Sequence, residues 1–413
     1  MTRLAVQILI GAALAGTLRS APAGPSSNLA RRLGFYQWDG VGVEGSADDL
    51  LTQARRHASA TGSRVFRLYL GARYDYRHHA YSPRSFAGDG LSAPPTPARI
   101  LELPRYRAVL EDPGLETVIL TTYTTFDYGA GPDNLNLLRP WTPAAEATER
   151  TQIRELCDFL YARFAALSKT VVIANSEADE LLLGIMNYSG SPDRAIGNLA
   201  SWTRARHEAV GQARAAHPGA RLQVLHGFEI SLVNLRIARQ GPLFRKSPAG
   251  SWNALGDVVP RAPFDILLYS AYESLNSPFE TGNIDVDPAQ IRARLRRDLD
   301  RIRDAARRSL SPLGRRLYGA RFVAVGEIGF ARDRFDRLPT GGVAPRLLAA
   351  LETAATWGCP YIILWQVLDA PRAGREPYGF GMIDRKGQAP KLQPAPNGCS
   401  SLGECLAGFL GAR

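Results

Sequence analysis

Phe322-Val323-Ala324-Val325-Gly326 is a short apolar run that ends on Glu327-Ile328-Gly329-Phe330. Thr170-Val171-Val172-Ile173-Ala174 has the same character and runs into Asn175-Ser176-Glu177-Ala178-Asp179. Runs this short, rich in β-branched residues and without polar alternation, read as strands covered on both faces. A carboxylate at the tip of such a strand has no packing rationale, because burying a charge is costly. Two such tips in one chain make Glu177 and Glu327 functional candidates.

Further apolar runs of this kind fall near residues 33–38, 64–70, 116–122, 221–226, 264–270 and 360–366, which brings the count to eight strands. Helical patterns separate them, among them 47–60, 143–167, 193–216, 288–310 and 345–357. An eightfold alternation of strand and helix is what a closed (β/α)8 TIM barrel of the α/β class requires. Ser46 before Ala47, and Asp287 before Pro288, supply helix-start signals. Long Pro-, Gly- and Tyr-rich inserts, at 71–97, 123–142 and 227–262, follow the second, third and fifth strands. In a barrel they rim the carboxyl-terminal face, where a cleft forms. No repeat or low-complexity linker divides the chain, so 33–392 reads as one domain.

The chain has 413 residues and a formal charge of +11, which raises the question of a polyanionic partner. Lysine occurs only at 169, 246, 386 and 391, so nearly all the positive charge is arginine spread along the chain. The densest run, Arg292 to Arg308, also carries Asp298, Asp300 and Asp304. Its apolar residues Ile291, Leu295, Leu299 and Ile302 recur at helical spacing, which makes it the solvated face of an amphipathic helix. No nucleic-acid partner is expected.

Met1-Thr2-Arg3, an apolar stretch from Leu4 to Leu18, and Ala21-Pro22-Ala23 have the order of a secretory signal peptide over 1–23. The expectation is a secreted or periplasmic protein, with an uncleaved N-terminal anchor as the alternative and no other membrane span. Cys399 and Cys405 lie in a Gly-rich tail over 393–413, where a disulfide suits an oxidising compartment. Cys157 and Cys359 fall in apolar patterns and are expected in the core.

A pair of carboxyl groups at strand tips suits glycosidic cleavage with retention. One protonates the leaving oxygen, and the other attacks the anomeric carbon from about 5–5.5 Å away. The acid's pKa must be raised while the nucleophile stays ionised. Trp365, after Tyr361-Ile362-Ile363-Leu364, offers an aromatic platform at the eighth strand end, and Trp38 offers another at the first. Tyr272 is placed to hydrogen-bond the nucleophile from the sixth strand, unless a one-residue slip substitutes Tyr269. Such chemistry calls for no metal or cofactor, and the six histidines form no H-x-H pair. His226 ends the fifth strand, either as a cleft contact or as a core histidine.

Together these segments resemble clan A of the glycoside hydrolases, in particular the cellulase-like family five and its neighbours, over about residues 33 to 392. The resemblance implies a (β/α)8 barrel with the acid/base glutamate ending the fourth strand and the nucleophile ending the seventh. Val325-Gly326-Glu327-Ile328-Gly329 is similar to the nucleophile motif, and Phe66-Arg67-Leu68-Tyr69 to the segment whose arginine supports it. Tyr272 and Trp365 match the sixth-strand tyrosine and eighth-strand tryptophan, and the 378–387 segment resembles one that often closes such barrels. The clan usually has asparagine directly before the acid/base residue. Here Ser176 stands there and Asn175 lies one residue earlier. Either a bulge lets Asn175 still reach the sugar, or Ser176 takes over in weaker form.

The implied activity is retaining hydrolysis of a poly- or oligosaccharide by a monomer, Glu177 acting as general acid/base and Glu327 as nucleophile. The competing readings are structural. Glu177 is then a helix-start carboxylate, Glu327 an ion-pair partner of Arg67, and the barrel a non-catalytic carbohydrate- or partner-binding protein. Gly40-Val41-Gly42-Val43-Glu44-Gly45 fits a dinucleotide-binding fingerprint, but no acid ends the next strand for the ribose.

Overall fold

The computed structural model describes residues 31–38, 45–71, 94–125, 141–189, 191–238, 249–275, 286–330 and 342–368, with Leu29, Val43, Leu91 and Phe244–Arg245. Its strands are β1 (Leu33–Gln37), β2 (Val65–Leu70), β3 (Thr117–Thr122) and β4 (Thr170–Ala174). They continue as β5 (Gln223–Ile230), β6 (Ile266–Ser270), β7 (Val323–Ile328) and β8 (Ile362–Trp365). All pair in parallel in chain order, and β8 closes on β1, so the expected (β/α)8 barrel is the fold.

The apolar runs are continuous because both strand faces are covered. Val65, Ile119, Val172, Leu225, Leu268, Ala324 and Ile363 fill the barrel interior. Their chain neighbours, such as Phe66, Val118, Val171 and Leu267, belong to the larger core beneath the helices. Glycine is used where the interior is tightest. A Cβ on Gly34 would lie 2.8 Å from side-chain atoms of both Ile363 and Val65.

The helices that position the site are α1 (Leu50–Ala60), α2 (Pro143–Phe164), α3 (Ala178–Ser189), α4 (Pro192–Ala216), α5 (Pro288–Ala306) and α6 (Val343–Trp357). Helix α5 opens with a capping box between Asp287 and Gln290 and buries Ile291, Leu295, Leu299 and Ile302, as their spacing predicts. The first helix corrects its expected start. It begins at Leu50 with Asp49 as the cap, because the Ser46 hydroxyl instead accepts from the Asp48 amide in the turn before it.

Strand β5 runs to Ile230, four residues beyond the expected end at His226. After it come three short antiparallel strands, Arg236–Ala238, Phe244–Arg245 and Ser251–Trp252. Cys157 and Cys359 are fully buried thiols, as expected, and burial pushes Cys359 up to about 12, which keeps it unreactive. No helix among the described residues is long and apolar enough to cross a membrane. The 1–23 segment, the 378–387 segment, most of the first two inserts, His78, His79, Cys399 and Cys405 lie outside the described residues.

Candidate active site

Val65, Arg67 and Tyr69 alternate along β2 toward the barrel axis, which carries a guanidinium into the mouth of the barrel. Arg67 is fully buried. Its Nη1 and Nη2 donate to the two carboxylate oxygens of Glu229 at 2.6 and 2.7 Å. Nη1 also donates to the Gly326 carbonyl at 3.0 Å, and Nε to the Thr121 hydroxyl at 2.9 Å. The Tyr36 ring lies 4.2 Å from the guanidinium carbon. This bidentate fork is the strongest ion-pair geometry available to a buried carboxylate.

Glu229 was not among the sequence candidates, although its signal was present. Leu225, Gly227 and Glu229 form the inward set of β5, and a Cβ on Gly227 would strike Val172 and Leu268 inside the barrel. Ending the strand at His226 hid this alternation. The same parity turns His226 outward. Its ring packs 5.5 Å from His207 on α4, and it is 1% exposed. The structure therefore does not bring His226 to the cleft; it is a core histidine whose protonation burial suppresses.

Glu327 reaches the same group through an irregularity. Gly326 faces the interior, so strict alternation would send the next side chain away. The β6–β7 pairing shifts register between Val325 and Glu327, and this bulge turns Glu327 into the mouth. Glu327 Oε1 lies 3.5 Å from Arg67 Nη1, and Oε2 accepts from the Tyr272 hydroxyl at 3.4 Å. Gly326 leaves the room that the ion pair needs. A Cβ there would stand 2.2 Å from Glu229 Oε1 and 3.0 Å from Leu268 Cβ. Gly326→Ala is expected to cost about 1–3 kcal/mol, as overpacking does, read as a lower urea midpoint.

Glu177 follows β4 and opens α3. Its amide donates to Glu229 Oε2 at 3.2 Å, which ties the two strand ends together. Burial raises its pKa well above the usual carboxylate range, and a hydrogen bond with Glu180 and the charges of Glu180, Glu327 and Glu229 add to the rise. Burial also pushes Glu327 up, to about 8, as does Glu229, while Arg67 and the Tyr272 hydroxyl act to lower it. The asymmetry is physical. Glu327 has a cation and a hydroxyl donor, whereas the charges acting most on Glu177 are carboxylates. A proton shared between them rests on Glu177.

Of the two residues before Glu177, Asn175 does not face the mouth as a sugar contact. Asn175 is 1% exposed, its Oδ1 accepts from the Glu229 amide at 2.9 Å, and its Nδ2 donates to the Glu229 carbonyl at 3.0 Å. It extends the β4–β5 ladder with its side chain, so no bulge frees it to reach outward. Ser176 is nearly buried, with its amide donating to the Tyr123 hydroxyl at 3.0 Å.

Aromatic side chains rim the group. Trp365 meets Tyr272 edge-on with centroids 6.2 Å apart. Trp38 stacks on Tyr69 at 5.5 Å, and Tyr69 tilts against Tyr123 at 5.8 Å, a row across the ends of β1, β2 and β3. Trp38 is half-buried, so one part of it meets solvent. Arg67, Tyr272, Glu327, Trp365, Trp38 and Glu177 are thus gathered at one barrel end. Among the described residues, no set of His, Cys, Asp or Glu side chains is grouped to hold a metal ion.

Two further carboxylates shape the loop after β5. Asp179 accepts from the amides of Ser231, Leu232 and Ala254 at 2.9, 2.9 and 2.7 Å. Glu273 accepts from those of Val233, Asn234 and Leu235 at 2.6, 2.9 and 3.0 Å. Neither is a solvated group; both pin backbone. Asp179→Ala is expected to destabilise by about 1–3 kcal/mol through the orphaned amides, with faster amide exchange centred on 231, 232 and 254.

The fold recurs in solved enzymes. The exo-beta-1,4-mannosidase Op5Man5 from Opitutaceae bacterium strain TAV5 superposes with a TM-score of 0.53 at 16% identity. The match covers 95% of this chain, which spans 62% of the mannosidase chain. XEG5A, a xyloglucan-specific endo-beta-1,4-glucanase from a metagenomic library, gives 0.51 at 11% identity, covering 94% of this chain and 98% of the other. The AHE enzyme from Alicyclobacillus herbarius gives 0.50 at 13%, covering 96% and 100%. At such identities the likeness is one of fold. No family model and no curated protein sequence matches the chain.

Proposed function

We propose that the protein is a retaining glycoside hydrolase that cleaves O-glycosidic bonds of a poly- or oligosaccharide. The carrying observation is the unequal surroundings of two carboxyl groups at one barrel mouth. Glu177 sits among like charges and keeps its proton; Glu327 faces Arg67 and Tyr272 and loses its own first. That division is what general acid and nucleophile require.

In the first step the Glu327 carboxylate attacks the anomeric carbon and the bond to the leaving oxygen breaks, while Glu177 gives that oxygen its proton. In the second, Glu177 takes a proton from water, which attacks the same carbon and releases Glu327. Trp365 and Trp38 supply faces for sugar stacking. The activities of the mannosidase and the xyloglucan-specific glucanase agree with a carbohydrate substrate. The chain is read as exported, on the signal-like 1–23 segment and the Cys399–Cys405 spacing. N-terminal sequencing of protein recovered outside the cytoplasm checks export.

Hydrolysis of a glycan panel, followed by proton NMR of the first-formed anomer, tests the activity. Retained configuration, with turnover lost in both Glu177→Gln and Glu327→Gln, is expected. Glycan binding without turnover, unchanged by either substitution, would sink it. That outcome belongs to a second reading, a non-catalytic carbohydrate-binding barrel, which the Asn175 side chain favours because it is held by the Glu229 backbone.

A further inference from the structure

Two carboxyl groups, those of Glu229 and Glu327, converge on one guanidinium at the mouth of the barrel, and the cation is shared unequally. Glu229 takes both terminal nitrogens of Arg67, at 2.6 and 2.7 Å, while Glu327 is left with one contact at 3.5 Å. The preference is built into the fold. Gly326 clears the space that Glu229 Oε1 occupies, its carbonyl and the Thr121 hydroxyl fix the guanidinium plane, and Asn175 holds the Glu229 backbone at both its amide and its carbonyl. Glu229 Oε2 also accepts from the Glu177 amide, so the same carboxylate touches both strand tips.

We propose that Glu229 is a positioning residue that withholds Arg67 from Glu327 and thereby sets the pH above which the barrel's carboxyl pair works. The role rests on the hydrolase assignment of Glu177 and Glu327 and adds a third carboxylate to it. Its sign follows from charge. A full bidentate partner would favour the ionised form of Glu327; a partner already neutralised by Glu229 does so only weakly, and Glu229 itself repels a second negative charge. The charged and titratable groups that face Glu327 are Arg67 on β2, Glu229 on β5, Glu177 and Glu180 at the start of α3, Tyr272 after β6 and Tyr36 on β1. Of these carboxylates, Glu229 acts most strongly on Glu327. The raised pKa of Glu327, about 8, agrees with the geometry. The enzyme is then one of neutral to alkaline conditions.

The test is a pair of titrations on the full chain. Carboxyl carbons of 13C-glutamate-labelled protein are followed by NMR from pH 4 to 10, Glu327 being identified by the signal lost in Glu327→Gln. In the unaltered protein that signal is expected to titrate above neutrality. In Glu229→Gln, which keeps shape and removes charge, it is expected about one to two units lower. The acid limb of kcat/KM should fall by the same amount. A Glu327 signal that titrates near the ordinary glutamate value in the unaltered protein overturns the proposal without any variant at 229. So does a signal, or an acid limb, that stays in place in a folded Glu229→Gln. The NMR arm needs no substrate, so a shifted signal without glycan turnover upholds the role of Glu229 while the hydrolase assignment fails. Turnover with an unmoved signal gives the reverse.

Discussion

Glu327→Gln is expected to remove at least about 1,000-fold of kcat, the loss typical of deleting a group that acts on the reacting atoms, while raising the melting temperature at pH 8 or above. The two effects have one source. Burial and Glu229 raise the folded-state pKa of Glu327 to about 8, above its ordinary value of 4.5. Below the ordinary value the group is neutral in both states and carries no penalty. As pH climbs toward 8 the unfolded chain releases this proton and the folded chain keeps it, so the native state loses ground. Each unit of difference is worth about 1.4 kcal/mol. The substituted amide never ionises, so the variant's advantage should appear across that window, hold above pH 8 and vanish near pH 4. Thermal melts at pH 4, 6 and 8.5, beside activity on a responsive glycan, check both halves. A variant that loses activity and stability together at alkaline pH would place Glu327 among the fold's supports instead.

Arg67→Met should be the most destabilising single change in the barrel. It strands Glu229, which is fully buried, and removes the cation facing Glu327. Breaking a buried pair by deleting one partner costs about 3–5 kcal/mol, far more than the pair contributes relative to an apolar replacement. The loss should shrink on acidification, because protonating the stranded carboxylates relieves it. Adding Glu229→Gln to Arg67→Met should restore part of the stability, and urea unfolding of the four combinations gives the coupling directly. Independent, additive costs would mean that the pair is not a unit.

The barrel was legible because each strand is a short apolar run between long helical patterns, and each predicted run contains or overlaps an observed strand. Strand ends were less legible, and the site is built at strand ends. At β5, His226 and Gly227 look like the close of a strand and the start of a loop. The pairing of residues 227–230 with β6, together with the interior packing of Leu225 and Gly227, shows that Phe228-Glu229-Ile230 continues it. The absent Glu229, and the choice between cleft and core left open for His226, both follow from that boundary. Glu327 is legible from its place at a strand tip and from its motif, whereas its orientation depends on a bulge that period-two reading cannot supply. Arg67 was matched to Glu327, and its principal partner lies on a strand 162 residues away. Such a partner is invisible to local pattern, because the pairing exists only once the barrel has closed.

Closure itself has a consequence for how the chain is made. The seam between β1 and β8 pairs Leu33 with Ile362 and Tyr36 with Trp365, and the Gln37 side chain crosses it to Gln366, 329 residues away. Until β8 emerges from the ribosome, β1 and β7 both present unpaired edges, the template on which sheets add foreign strands. A truncation or premature stop anywhere before residue 362 should therefore yield an aggregating chain, not a smaller working barrel.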